Sequence, residues 1–132
     1  MGLSDEEKVA IVAYRKEKAF GALQEAKDNF NLNHWTLVAN KLYYAAYYVV
    51  TALMINDGFH AKTHAGVHAI LSKEYVTTDK ITEEERKLFG RLFQMRQTGD
   101  YGDCFEYEKE DVEPLIEKTE RFVNRISMTL IS

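Results

Sequence analysis

The sequence has little of what cross-links small proteins. It contains a single cysteine, Cys104, so no internal disulfide can form and no pair of cysteines has the spacing of a metal site. At 132 residues, however, the chain is long enough to bury an apolar core without disulfides or a metal ion. We therefore expect one domain that spans residues 1–132, and we expect no cofactor.

Long apolar segments are also absent. No run approaches the roughly 18 to 20 apolar residues that cross a bilayer as a helix. The first residues, Met1–Glu7, are acidic, whereas the start of a secretory signal peptide is basic. The sequence therefore predicts a cytoplasmic protein without a membrane partner.

Positive charge is in the minority. The chain has 17 lysine and arginine residues against 21 aspartate and glutamate residues, a formal charge of -4. Such a chain has no global positive field to hold duplex nucleic acid, because that field comes from an excess of lysine and arginine. Any contact with nucleic acid must then be local, at a cleft that is positive on its own.

Helical periodicity is abundant, and no strand-like alternation of useful length occurs. Ser4 with Glu7 and Thr82 with Glu85 have the form of capping boxes, in which the hydroxyl and the carboxylate each accept from a backbone N–H group. These patterns predict an all-α protein, an up-and-down four-helix bundle with one additional short helix. Three of the long helices are expected at about 5–30, 33–56 and 82–96, and the short helix is expected at about 64–75. The fourth long helix is the last one, and Pro114 is expected in its first turn.

The second predicted helix is the most apolar. Trp35, Leu42 and Val49 repeat every seven residues, as in the narrow seam of an antiparallel bundle. Tyr43 and Tyr47 belong to a second apolar face beside that seam. A helix with two apolar faces is central, packs against another subunit, or does both, and we expect both. The two tyrosines either pack in the core, with each hydroxyl bonded to a partner, or contribute to a ligand site.

The stretch from Arg96 to Asp103 mixes charge, an aromatic ring and glycine. Arg96 comes four residues after Leu92, at the edge of an apolar helix face, so its guanidinium is expected to point toward neighbouring helices. Gly99 and Gly102 predict that the chain leaves the helix through positive φ and folds back toward Arg96.

That turn would bring three further polar side chains, Asp100, Tyr101 and Asp103, close to Arg96. One interpretation is a ligand pocket. The other is a charge-assisted cap, in which Asp100 or Asp103 pairs with Arg96 and holds the loop in place.

Three histidines lie close together in the sequence, at His60, His64 and His68. His64 and His68 share a helix face, but no nearby carboxylate completes a metal site with any specificity, so surface or capping roles are favoured. His64 is also expected at a helix start beside Lys62, where a ring nitrogen could meet an anion.

The order of these features resembles the HEPN superfamily, small prokaryotic helical bundles that are partners of minimal nucleotidyltransferases. Three blocks carry the resemblance: the tyrosine and alanine repeat in 39–47, Gly58 followed by 62–67, and 96–103 ahead of the last helix. With the helix plan, the resemblance covers almost the whole chain. It implies a homodimer in which paired arginine motifs line a shared groove.

Active members of that superfamily are metal-independent ribonucleases with an Arg-x4-6-His motif, and others bind or modify nucleotides. Arg96 matches the arginine, but Tyr101 stands where the motif has histidine, and no histidine follows. Loss of the imidazole typically lowers the rate on the order of 100-fold to 10,000-fold, because tyrosine is a poor proton shuttle at neutral pH.

The resemblance therefore implies two functions. The first is a dimeric module, in a toxin–antitoxin-like system, that binds a nucleotide or single-stranded RNA and works with a minimal nucleotidyltransferase. The second is a ribonuclease toxin in which Arg96 clamps the phosphate and His64 or Tyr101 moves the proton. A third interpretation is a structural scaffold without a ligand. Besides Arg96, His64 and Tyr101, the candidate ligand-binding residues are Lys62, Asp100, Asp103, Tyr43 and Tyr47.

Overall fold

Helices form most of the chain. The computed structural model describes residues 2–102 and 106–130, and it contains α1 (Asp5–Asn31), α2 (Trp35–Asn56), α3 (His64–Ile70), α4 (Glu83–Tyr101) and α5 (Lys109–Ser127). No strand occurs in these residues, so the predicted all-α class with four long helices and a short one is confirmed.

Capping boxes start α1 and α4 where the sequence predicts them. The Ser4 hydroxyl accepts from the Glu7 N–H and the Glu7 carboxylate accepts from the Ser4 N–H, both at 3.1 Å. Thr82 and Glu85 exchange the same two bonds at 3.0 and 2.9 Å. Each box satisfies two backbone donors that a helix start otherwise leaves without partners.

The last helix starts earlier than predicted. Glu108 caps it, and the Asp111 carboxylate accepts from the Glu108 N–H at 2.8 Å. Because α5 then begins at Lys109, Pro114 lies in its second turn and not in its first.

α2 is the central helix and contacts α1, α4 and α5. Fully buried alanines, among them Ala39 and Ala46, let its neighbours approach closely. Most of its second apolar face also packs inside the chain, since Tyr43 and Val50 are fully buried. The prediction that α2 is central is therefore confirmed, and the half-buried Tyr44, Tyr47 and Tyr48 are among the residues of this helix that are left for a contact between subunits.

The short helix is less regular than predicted. Its α-helical turns end at Ile70, and wider π-helical turns continue over Leu71–Val76. The buried Tyr75 lies in this second part, and its hydroxyl donates to Asp57 Oδ2 at 2.7 Å. This bond anchors the segment to the end of α2.

The helix that carries Arg96 continues through Tyr101, so the prediction that it ends at Arg96 was wrong. Gly102 has φ -82°, and Gly58 is the one glycine with positive φ in the described residues. A Cβ on Gly99 would lie 3.0 Å from Thr36 Cγ2 and 3.3 Å from a ring carbon of Tyr107. Gly99 is thus suited to close packing within the helix and not to a turn out of it.

None of the helices in the described ranges combines the length and the apolar character that a membrane crossing requires.

Candidate functional site

A buried tyrosine connects α2, α3 and α4. Tyr43 is fully buried, and its ring centroid lies 5.8 Å from that of Phe89 and 5.6 Å from that of Phe93, both on α4. Its hydroxyl oxygen lies 2.5 Å from Nδ1 of His64, the first residue of α3. Around it lie the residues that we call the Arg96 site: Asn40, Tyr43, Tyr44, His64, Arg96 and Asp100.

Arg96 packs across the tyrosines of α2. Its guanidinium carbon lies 5.4 Å from the ring centroid of Tyr44 and 5.9 Å from that of Tyr43. A guanidinium over an aromatic face is attracted to the negative charge of that face. The Arg96 side chain is 14% exposed, so it is held against α2 and presents a limited surface to solvent.

Asp100 joins the two helices through a shared oxygen. Its Oδ2 accepts from Arg96 Nε at 3.0 Å and from Asn40 Nδ2 at 2.9 Å. Arg96 and Asp100 are one helical turn apart, a spacing that the continued α4 provides. The predicted pairing of Arg96 with an aspartate is therefore confirmed for Asp100, within a helix and not in a loop. Asp103 lies outside the described residues.

His64 is placed by the start of α3. The Thr63 hydroxyl caps this helix by accepting from the Gly66 N–H at 2.9 Å, and the next residue is His64. Its ring centroid lies 4.8 Å from that of Tyr47. Nothing in the sequence places His64 near Arg96, yet the structure brings both against Tyr43.

The electrostatics keep His64 and Tyr43 neutral at pH 7. Burial, and then the positive charge of Arg96, lower the pKa of His64. Burial is also the main cause that raises the pKa of Tyr43 well above its usual range, with a further rise from Tyr47 and an opposing effect of Arg96. A neutral imidazole thus shares a hydrogen bond with a protonated phenol. A tyrosine hydroxyl can donate to Nδ1 or accept from Nδ1–H, so the pair suits either ring tautomer.

His68 packs behind the site. Its ring is stacked 4.5 Å from the Phe89 centroid, and its Nε2 is buried without a hydrogen-bond partner in the described part of the chain. Burial lowers its pKa, and the charges of His64 and Arg86 lower it further. This histidine is therefore part of the packing that supports His64.

The other predicted residues fall in different places. Lys62 is exposed before α3, and no hydrogen bond or ion pair joins it to the described residues of the site. Tyr47 is half-buried next to His64, whereas Tyr43 is fully buried and can influence a ligand only through its neighbours. Tyr101 ends α4, and its side chain is outside the described part.

Sequence reasoning did not select Asn40 or Tyr44 for the site. Both share the helix face of Tyr43 and Tyr47, because residues three, four and seven apart lie side by side on a helix. That periodicity could have found them once α4 was known to pack against this face.

The described residues contain no group of three or more histidine, cysteine, aspartate or glutamate side chains that could hold a metal ion. What the Arg96 site offers is one cation, one neutral imidazole with an anchored ring, and aromatic faces. This set can hold a phosphate, stack against a base and move a proton.

Comparison with known proteins gives consistent results. The family model described as HEPN domain matches residues 12–128. A UPF0332 protein of Thermotoga maritima is 37% identical over 120 residues, which cover 91% of each chain. A protein of Methanocaldococcus jannaschii, described as "putative toxin", is 30% identical over 116 residues, which cover 88% of this chain and 79% of that protein. A UPF0332 protein of Archaeoglobus fulgidus is 26% identical over 118 residues, which cover 84% of this chain and 94% of that one.

Proposed function

This chain belongs to the HEPN domain family, and on that premise we propose that it is a toxin-like HEPN protein that binds single-stranded RNA or a nucleotide at the Arg96 site. The observation that carries the proposal is the position of Arg96. Its guanidinium is bonded to Asp100, packs over the rings of Tyr43 and Tyr44, and lies close enough to His64 to lower the pKa of that histidine. The likeness to the protein of M. jannaschii described as "putative toxin" supports the toxin-like part.

The chemistry of the Arg96 site fits a phosphate next to a base. A guanidinium is the side chain best suited to phosphate oxygens, because its N–H groups form a planar fork. The half-buried ring of Tyr47, next to His64, supplies a face on which a base can stack. The Asp100 carboxylate compensates part of the positive charge, so the affinity for RNA should be modest and sensitive to salt.

We also propose that the protein is a homodimer and works with a minimal nucleotidyltransferase, as its resemblance to such HEPN partners implies. Support for the dimer comes from aromatic surface beside the Arg96 site. Tyr44 lies next to Tyr48, and Lys18 lies 5.8 Å from the rings of both Tyr48 and Tyr14, of which Tyr14 is 60% exposed. We call Tyr14, Tyr44 and Tyr48 the aromatic strip. A second copy that covers this strip would bring two Arg96 sites close together.

Binding can be tested with a fluorescent single-stranded RNA of about twelve nucleotides, by anisotropy at low salt. Arg96→Ala should weaken binding about tenfold or more, since a hydrogen bond to a charged group contributes roughly 1.5–3 kcal/mol. Asp100→Asn should strengthen binding, because it removes the compensating carboxylate. Lys73→Ala, at an exposed position away from the site, is the control. Equal affinities for wild type and Arg96→Ala would contradict the proposal.

Ribonuclease activity is the second candidate, and the bond between Tyr43 and His64 favours it. With Nδ1–H donating to the Tyr43 oxygen, Nε2 would present its lone pair to the 2'-hydroxyl of an RNA substrate. That hydroxyl would give its proton to Nε2 while its oxygen attacks the adjacent phosphorus, forming a 2',3'-cyclic phosphate and releasing the 5'-oxygen, which takes up a proton from water. Arg96 would stabilise the charge on the phosphoryl oxygens during the attack.

Cleavage is tested with purified protein and cellular RNA in EDTA. If His64 transfers the proton, His64→Ala and Arg96→Ala should each lower the rate about 100-fold or more, while His60→Ala, at an exposed position, should not. Tyr101→Phe separates the two predicted proton carriers. No cleavage by the wild type would exclude the ribonuclease, and it would leave the binding function to the anisotropy experiment.

The same variants test the scaffold interpretation. If Arg96→Ala lowers the free energy of unfolding but changes neither RNA binding nor cleavage, the Arg96 site only ties α4 to α2.

A further inference from the structure

An open groove separates α4 from α5, away from the Arg96 site. The two helices contact each other sparingly, and the groove has a volume of about 650 Å³. The α4 residues that line it lie between Thr82 and Arg91, whereas the residues of α4 in the Arg96 site follow from Arg96 onward.

The floor of this groove is apolar. Leu115 and Phe122 of α5 belong to the core and are 6% and 2% exposed, and Leu88 of α4, which also lines the groove, is half-buried. The groove thus offers apolar side chains at its base to whatever enters it.

The rim is basic. Five exposed cations line it: Lys87 and Arg91 on α4, and Lys118, Arg121 and Arg125 on α5. Arg121 also bonds Glu117 at 2.5 Å, but both side chains are more than 70% exposed, and such a pair holds its partners weakly. No ion pair within the described ranges involves Lys87, Arg91 or Lys118.

Little negative charge compensates this rim. Two carboxylates line the groove, Glu84 and Glu85, and Glu85 is already bound by Arg125 at 2.5 and 2.6 Å. In a chain of formal charge -4, the groove is therefore a local concentration of positive charge.

We propose that this groove binds an amphipathic helix of a partner protein, whose leucine-like side chains meet the floor and whose glutamates or aspartates meet the rim. Helix-in-groove recognition needs an apolar trough with flanking charges of the opposite sign, and both are present here. This surface is independent of the RNA site proposed above.

The charge pattern argues against other occupants. A second copy that docks with the same groove by two-fold symmetry would bring like charges face to face. A nucleic acid backbone would meet the cations but would gain nothing from Leu88, Leu115 and Phe122.

The probe is a fluorescent helical peptide of about 18 residues, with leucines at heptad spacing and glutamates on both flanks. A second peptide with lysine in place of every glutamate is the charge control. The groove variant is Lys87→Glu with Lys118→Glu, and the matched protein control is Lys8→Glu with Lys73→Glu, which makes the same change in net charge outside the groove.

The wild type should bind the acidic peptide and not the basic one. The affinity of the groove variant for the acidic peptide should be lower than that of the wild type by about tenfold or more, because two attractive pairs become repulsive. The affinity of the control variant should stay within about twofold of the wild type. A Leu88→Ala variant should also weaken binding, with less dependence on salt.

Three results would overturn the proposal. The first is no binding of the acidic peptide by folded wild type, or equal binding by the groove variant. The second is loss of binding to a single-stranded RNA, but not to the peptide, in the groove variant, which would make the groove a nucleic-acid surface. The third is a change of oligomeric state in that variant, which would make it an interface between copies.

Discussion

At the scale of the residue, two glycines of α4 occupy opposite environments. A Cβ at Gly90 would meet no atom within 4 Å, whereas one at Gly99 would press against Thr36 and Tyr107. Thr36 is itself held, since its hydroxyl accepts from the Tyr107 N–H at 3.2 Å. The same substitution should therefore have opposite effects at the two sites.

We expect Gly90→Ala to raise the free energy of unfolding by about 0.5–1 kcal/mol, because alanine is the better helix former. Gly99→Ala should lower it by about 1 kcal/mol, since the cost of overpacking, roughly 1–3 kcal/mol, exceeds that gain. Urea unfolding of both variants measures the difference. A stabilised Gly99→Ala variant would show that Thr36 and Tyr107 yield easily.

The Tyr43 hydroxyl gives the second prediction at this scale. Tyr43→Phe keeps the ring in place but leaves Nδ1 of His64 without its partner at 2.5 Å. The free energy of unfolding should fall by about 1–2 kcal/mol, as expected for a hydrogen bond lost from a largely buried group. Tyr14→Phe, at a ring that is 60% exposed, is the control and should change it by less than about 0.5 kcal/mol. A similar small change for both variants would mean that the bond to His64 adds nothing to stability.

At the scale of the element, α3 carries two histidines that resist protonation. Burial is the first cause of the lowered pKa of both His64 and His68. A histidine whose pKa is lower in the folded state stabilises the fold fully above its unfolded pKa of about 6.5, and this contribution is lost as the pH falls. Acid should therefore loosen the attachment of α3 before the carboxylates titrate.

We expect the free energy of unfolding to fall between about pH 7.5 and pH 5.5, and His68→Phe to reduce that fall. Phenylalanine keeps the ring stacked on Phe89 and removes the buried nitrogen that has no partner in the described residues. Urea unfolding at a series of pH values measures the slope, with His60→Asn, at an exposed loop position, as control. A slope equal to that of the wild type would assign the pH dependence to other groups.

At the scale of the whole molecule, the two proposed contact surfaces in the described part of the chain are the aromatic strip of Tyr14, Tyr44 and Tyr48, and the basic groove between α4 and α5. They lie on different helices, so the proposed second copy and the proposed partner helix would not compete for the same surface. This arrangement suits a toxin-like protein that is held by a partner.

The proposed homodimer should give a mass of twice 15.3 kDa by light scattering. Tyr14→Glu should shift it toward the monomer, because a charge at the exposed end of the strip must then be buried in the interface. Leu37→Glu, at a residue that is 47% exposed and outside the strip, is the control. A monomeric wild type at micromolar concentration would contradict the dimer, and a dimer that survives Tyr14→Glu would place the interface elsewhere.

Local signals in the sequence were sufficient for most of the helices. The capping boxes at Ser4 and Thr82 predicted two helix starts, because they involve only residues three apart. The turn predicted at Gly99 and Gly102 was wrong because the role of a glycine depends on residues that are distant in sequence. A glycine near a helix end suits either a turn or a close contact, and here Tyr107 and Thr36, which are distant in sequence, provide the contact.

By itself, the sequence determined the all-α class, the central place of α2 and the position of Arg96 at the edge of an apolar helix face, since each follows from periodicity along one helix. Only the tertiary structure decided that His64 lies beside Tyr43 and Arg96, and that five lysines and arginines of two helices meet in one groove. The physical reason for this difference is the range over which each feature is decided. Hydrogen bonding and periodicity within a helix are local, whereas the proximity of two side chains from different helices depends on how those helices pack.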